Sequence, residues 1–344
     1  MRMGNINNTC RAMNKSLVRP GLALALILLS FAQLKAQDPQ YSQFYSNLVM
    51  LNPAFTGSGI GPRVALNYRA QWVGIPGYYK QFAMSYDQPV YFLGSTQGLG
   101  VNFNADRAGE GNLTKLNMTV NYAYQLELND DHVVRFGLSA GVTQASIDFY
   151  KLRFPDQIDA RNGFVRPTLE PGTFSQTVFR PDVSAGVAYF NQYAWMGFTV
   201  NHITEPQEVF TVAGGGVEAK LPRKYTLTGG LKIPVRDMRN RREVSVTPAF
   251  LFKSQGEFMQ IDGGLYVNAD PMVFGFWYRH RDALIGLIGV KQGNFSFGYS
   301  YDYTISGLTQ GVSGGSHEIS MVMEFEYARK IRGLKHRRMP CPKF

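Results

Sequence analysis

From residue 63 almost to the C-terminal end, apolar side chains recur with a period of two, in runs of roughly ten residues. Successive side chains on a strand point to opposite faces, so this period builds a sheet with one apolar face. A helix would repeat its apolar residues every three or four positions. Val64, Leu66, Tyr68, Ala70 and Trp72 alternate with Asn67, Arg69 and Gln71. Leu116, Met118, Val120, Tyr122, Tyr124 and Leu126 alternate with Lys115, Asn117, Thr119, Asn121 and Gln125. Phe295, Phe297, Tyr299, Tyr301 and Tyr303 oppose Ser296, Gly298, Ser300 and Asp302, and Ile319, Met321, Met323, Phe325 and Tyr327 oppose Glu318, Ser320, Glu324 and Glu326.

A soluble β-sandwich alternates in the same way, so run length and the residues at run ends must separate the two folds. The runs match the roughly 9–11 residues that a tilted strand needs to cross a bilayer. Tyr68, Trp72, Tyr78, Tyr79, Tyr122, Tyr124, Tyr299, Tyr301 and Tyr303 gather toward their ends, as in the aromatic girdles of membrane barrels. Segments near 63–72, 79–90, 97–107, 113–127, 131–147, 180–190, 193–204, 222–235, 243–254, 257–268, 271–281, 283–291, 293–304 and 316–328 make fourteen. The expected fold is all-β, a transmembrane outer-membrane β-barrel of about 14 antiparallel strands over residues 63–328. An even count places both termini on the periplasmic side. The three longest connections, 148–179, 205–221 and 305–315, then all face outward, and short turns such as Asn191–Gln192 face inward. With 44% hydrophobic and 17% charged residues the chain can enclose a large interior. A mean hydropathy of -0.17 and a single long apolar run exclude a bundle of membrane-spanning helices.

That single run, Gly21 to Ala32, follows scattered bases and precedes Leu34-Lys35-Ala36, so residues 1–36 read as a signal peptide cut after Ala36. Cys10 would leave with it, which leaves Cys341 alone and removes an intramolecular disulfide or a paired-cysteine zinc site. The formal charge of +10 sits at the ends: five bases and no acid in residues 1–36, seven bases and no acid from Ala328 to Phe344. The remaining 23 bases face 25 acids, so the body is nearly neutral and carries no footprint for nucleic acid. The tail 329–344, with Arg329, Lys330, Arg332, Lys335, Arg337 and Arg338, is expected as a basic periplasmic extension able to dock partners; a solvated run of like charge is the plainer alternative. Pro340 and Pro342 keep it out of the barrel.

Residues 37–62 lack the alternation and form an N-terminal segment placed in or under the barrel. Within it stand Gln40-Tyr41-Ser42-Gln43-Phe44-Tyr45 and Leu51-Asn52-Pro53-Ala54-Phe55-Thr56-Gly57, followed by Tyr68-Arg69-Ala70-Gln71-Trp72. These blocks resemble the opening of the PorP/SprF family of outer-membrane proteins of type IX secretion and gliding motility. The stretch from Arg180 to Phe190, Asn201-His202, Tyr299 to Asp302 and Gly315 to Ser320 are similar to later family blocks, in order. The resemblance implies a non-enzymatic barrel without cofactor. It would work with secretion components of the periplasm and outer membrane, and support export or surface anchoring of cargo that carries a C-terminal sorting domain. A channel or transporter for a small ligand is the alternative, because a barrel of this size encloses a lumen. Whether residues 37–62 fill that lumen discriminates the two.

Closing strand 316–328 against strand 63–72 would bring the inward charges Arg63, Arg69, Glu318 and Glu324 onto one seam, where they are tolerable mainly as pairs. Chemistry is otherwise sparse. His132, His202, His280, His317 and His336 never fall at metal-ligand spacing. Ser316-His317-Glu318, near an outer rim, reads as a hydrogen-bond cluster ahead of a catalytic group, since neighbours on a strand point to opposite faces. Gly214 to Gly216 lacks the Lys-Ser or Lys-Thr pair of a phosphate cradle, and Asp156 and Asp159 read first as solvated loop acids.

Overall fold

The structure, a computed structural model, describes residues 38–92, 94–148, 151–152, 154–159, 161, 163–165, 167, 176–207, 220–236, 243–307 and 310–326. The expected signal peptide, the basic tail with its six docking residues, and Gly214 to Gly216 lie outside the described residues.

The strands are β1 (Arg63–Gln71), β2 (Tyr79–Phe92), β3 (Ser95–Ala108), β4 (Leu113–Glu127), β5 (Val133–Ile147), β6 (Gln176–Phe190) and β7 (Ala194–Asn201). They continue as β8 (Lys224–Leu231, resumed as Ile233–Arg236), β9 (Glu243–Gln255), β10 (Phe258–Ala269), β11 (Met272–Arg279), β12 (Ala283–Gln292), β13 (Phe295–Thr304) and β14 (Ser316–Glu324). Each pairs antiparallel with its sequence neighbour, and β14 closes on β1 in a register from Arg63 opposite Glu324 to Gln71 opposite Ser316. The result is a closed barrel of fourteen strands. Closure leaves no open edge along the wall, the condition for a sheet to sit in lipid. β8 runs past the start of β7, and Ile233–Arg236 pairs only with β9 among the described residues. Lys232 N donates to Tyr193 O (2.6 Å). Two residues on, on the same edge, Pro234 has no N–H to offer, which caps that overhang against further pairing.

All odd strands run in one direction, so the barrel has a near rim, where β1 begins and β14 ends, and a far rim. The long connections 148–175, 202–223 and 305–315 share the far rim. No helix among the described residues is long and apolar enough to cross a membrane. The strands carry the apolar outer surface instead: Val120 is 63% exposed and Ile319 56%, while Phe297, Tyr299 and Phe276 stand out beside them.

The inner face is not uniformly polar. β1, β4, β13 and β14 turn Asn67, Arg69, Asn121, Ser300, Glu318 and Ser320 inward, all buried. β7 and β9–β12 turn in Trp195, Leu251, Tyr266, Val273, Trp277, Ile285 and Leu287. On β12 both faces are apolar, because one meets the surroundings of the barrel and the other meets the N-terminal segment.

Candidate functional site

Residues 38–62 run through the lumen from the far rim to the near rim. Asp38 lies beside His202, Lys224 and Gln255, which stand at the far ends of β7, β8 and β9. Ile60 N donates to Glu324 Oε1 (3.3 Å) and Phe325 N to Pro62 O (2.8 Å) at the near rim. Both ends of the strand array therefore share a rim, yet the first described residue sits at the opposite mouth. A segment that alternates poorly can do this, since it must present polar groups on several sides at once.

Its middle is a folded knot. Asn47 caps the one-turn helix α1 (Leu48–Leu51) by accepting from Met50 N (3.2 Å). Asn52 then caps the 3-10 turn Pro53–Phe55 by accepting from Ala54 N (2.8 Å), and Pro53 sits where no backbone donor is needed. Asn52 Nδ2 also donates to the carbonyls of Val187 (3.1 Å) on β6 and Phe198 (3.2 Å) on β7. Glycine in the wall makes this approach feasible. A Cβ on Gly186 would stand 2.1 Å from Asn52 Oδ1, and one on Gly137 would stand 2.1 Å from Ala54 N. The buried Arg135 grips the end of the turn, donating through Nε to Ala54 O (3.0 Å), through Nη1 to Gly57 O (3.3 Å), and through Nη2 to Thr56 O. Asp87 accepts from Gly57 N (2.7 Å) and pairs with Arg63 Nε (2.9 Å). On the opposite side, Phe44 meets Trp277 edge-on at 5.1 Å and Tyr45 meets Tyr266 at 4.6 Å, with Leu48, Leu51 and Phe55 in the same buried apolar cluster. Apolar burial and directional hydrogen bonds thus hold the segment from different walls.

The four seam charges are placed as follows. Arg69 stands opposite Glu318, both essentially buried, with Nη1 to Oε2 at 3.3 Å, and Arg69 Nη2 reaches Asp302 Oδ2 at 2.8 Å. Arg279 Nη1 reaches the same Asp302 oxygen (3.2 Å). Glu318 further accepts from the backbone of Ser42 (2.7 Å) and Gln43 (3.1 Å), and Ser42 Oγ donates to Asp302 (2.6 Å). Arg63 stands opposite Glu324 in register and holds Asp87 on β2. The wall charges therefore do more than line a seam: they grip the N-terminal segment. Sequence reasoning missed Asp302, Arg279, Arg135 and Asp87 because their partners lie far along the chain.

A second charged group holds the segment at the far rim. Asp38 contacts Lys224 Nζ and accepts from His202 Nε2 (2.8 Å), while His202 Nδ1 faces Asp182 Oδ2 (2.8 Å). Burial works against the charged Asp38, but Lys224 and His202 hold its carboxyl well below the usual carboxylate range. Burial alone would push His202 down; the charge of Asp38 and its bonds to Asp182 and Asp38 push it up to about 9. Beneath this clasp, between the segment and β3–β7, lies a cavity of about 100 Å³ lined by the Asn102, Asn104, Asn117 and Asn121 amides.

Ser316 and Glu318 are buried inward, whereas His317 lies on the other face, where Tyr299 OH meets its Nδ1 at 2.8 Å. No group of three or more His, Cys, Asp or Glu able to hold a metal occurs among the described residues. Asp159 accepts from Arg161 N (2.9 Å) within a small two-stranded turn.

Among solved structures the chain is similar to the translocator domain of the autotransporter NalP from Neisseria meningitidis (11% identity, 90% of this chain and 98% of that one, TM-score 0.41). It is also similar to the P. putida toluene transporter TodX (8% identity, 82% and 94% covered, TM-score 0.45) and to the β domain of the Bordetella autotransporter BrkA (12% identity, 77% and 99% covered, TM-score 0.36). No curated protein matches the sequence. The family model described as type IX secretion system membrane protein PorP/SprF matches residues 33–323, nearly the whole barrel and its threaded segment. The chain belongs to the PorP/SprF family of type IX secretion system membrane proteins.

Proposed function

We propose that this protein is a non-enzymatic barrel of the outer membrane that serves type IX secretion as a docking scaffold, supporting export or surface anchoring of cargo with a C-terminal sorting domain. The observation that carries this reading is the threaded segment: Tyr41 to Phe55 is buried against walls on several sides, which leaves the lumen filled and favours docking over free permeation. In this reading the near rim faces the periplasm, and the far rim, with its long connections, faces the cell exterior, where cargo arrives. The tail from Arg329 to Arg338 would follow β14 on the near rim and meet periplasmic secretion components through its clustered bases.

The experiment is recovery of cross-linked partners from native membranes, with the full chain and with a chain ending at Tyr327. The full chain is expected to recover secretion components and cargo, and the truncated one to lose the periplasmic components. Undiminished surface cargo in a strain lacking the protein would overturn the scaffold reading. Steady ion conductance of the intact protein in planar bilayers would favour the channel alternative.

A further inference from the structure

β3–β7 change character along their length. On the near side Gly98 and Gly100 of β3, Gly137 of β5, Gly186 of β6 and Gly197 of β7 seat Asn52 to Thr56. On the far side the inward positions are mainly carboxamides and hydroxyls, with Lys115 and Asp182 among them, and between them and the threaded segment lies the cavity of about 100 Å³. We propose that this cavity is a binding site for a small neutral polyhydroxylated ligand, a short polyol or the end of one sugar, admitted from the far rim.

Three features select that chemistry. The charges at the mouth pair with one another, Asp38 with Lys224 and His202, and His202 with Asp182, and the fifth charged group of the lining, Lys115, stands opposite Asp106 in the pairing of β3 with β4, so the lining is not arranged around an ion. The wall's amide donors are largely engaged, Asn117 Nδ2 to Thr143 Oγ1 (2.8 Å), Asn121 Nδ2 to Thr119 Oγ1 (3.3 Å) and Asn201 Nδ2 to Ser184 Oγ (3.3 Å). Acceptors are left over: Asn102 Oδ1 and Asp182 Oδ1 are buried without a hydrogen-bond partner among the described residues, and their residues are 7% and 5% exposed. A buried acceptor without a donor is costly, so the ligand that fits brings hydroxyl hydrogens. Opposite the amides, Val49, Met50 and Pro53 of the threaded segment form an apolar floor suited to the C–H face of such a molecule.

The inference is independent of the secretion role and is tested without it. The full chain, purified in a detergent that contains no sugar, is titrated calorimetrically with erythritol and with glucose; glycine betaine, which has no donors, is the control. Saturable binding of either polyol and none of betaine is expected, weakened by about tenfold or more in Asn102→Leu, the equivalent of one lost hydrogen bond of ~1.4 kcal/mol. Ser139→Met, which fills the cavity from β5, decides the matter where Asn102→Leu fails to fold, as judged by heat-modifiable migration. A further titration with maltotriose separates sources: binding points to a glycan end, and its absence beside glucose binding points to a free solute. No saturable binding, equal binding of betaine, or unchanged affinity in both folded variants would mean that the cavity holds only water.

Discussion

Arg69 and Glu318 face each other across the seam that closes the barrel, and each also holds the N-terminal segment: Arg69 donates to Ser42 Oγ while pairing with Asp302, and Glu318 accepts from the backbone of Ser42 and Gln43. Closure of the wall and retention of the segment therefore depend on the same side chains. Arg69→Met leaves Glu318 and Asp302 without their shared partner, and breaking a buried pair from one side costs about 3–5 kcal/mol. A lower urea midpoint for loss of the barrel is expected. Arg69→Met combined with Glu318→Met should recover part of the loss, because fewer charges then remain buried alone. A single variant as stable as the parent would show that the pair contributes nothing to closure.

The clasp at Asp38 responds to pH in a set direction. His202, one residue beyond β7, has a folded value of about 9 against an ordinary 6.5, so its stabilisation is full below the ordinary value and is lost as pH rises through about 9. Asp38 has a lowered value, so its contribution is present at neutral pH and is lost only as pH falls through that lowered value. Amide hydrogen exchange over residues 38–43 is expected to quicken between pH 8 and pH 10, beyond the intrinsic rise, roughly the window that the His202 shift sets. His202→Asn should exchange faster at pH 7 and lose the step. A step that survives in that variant would assign the transition to another group.

The strands were legible because one face of each meets an apolar surrounding, and that condition writes a period of two along β1, β4, β13 and β14. It was weakest on β12, where Ile285 and Leu287 face the threaded segment while Leu284 and Ile288 face outward, so both faces are apolar. The fourteen segments and the closing pair could be read in this way; the partners of Arg69 could not. The threaded segment was visible only as a break in the alternation. Its seat is made largely of backbone atoms against glycine, Ala54 N at Gly137 for example, and a glycine on a strand announces only that something comes close. The clasp was illegible for a different reason: Asp38 and His202 stand 164 residues apart, and the block Asn201-His202 says nothing of which residue its imidazole meets.

A cation on the outer face should cost far more than a change on the inner one. Val120 lies mid-strand on β4 and is 63% exposed to the surroundings of the barrel, while its neighbour Thr119 lines the cavity. Arg at the bilayer midplane costs about 2–4 kcal/mol. Val120→Arg is expected to lower the abundance of the heat-modifiable form, and Leu66→Arg to do the same from β1, whereas Thr119→Ser should leave it unchanged. Equal abundance in all three would overturn the assignment of faces.

The seat of the threaded segment can be blocked without touching the barrel's own hydrogen bonds. Gly137 faces the lumen on β5, where an added Cβ would stand 2.1 Å from Ala54 N and 2.3 Å from Pro53 C, both backbone atoms that cannot swing aside. Gly286 on β12 has nothing within 4 Å of the same position. Valine suits a strand at either site, so the wall should assemble in both variants. Gly137→Val is expected to expel the turn at Pro53–Phe55, and with it the grip of Arg135 on Ala54, Thr56 and Gly57. Protease should then cut within residues 38–57, and planar bilayers should show conductance absent from the parent and from Gly286→Val. If cargo secretion falls together with the opening of the lumen, the folded segment is part of the docking surface; if secretion persists while the lumen conducts, the segment serves only as a seal. Protection and conductance unchanged in Gly137→Val would show that the close fit at Gly137 does not hold the segment in place.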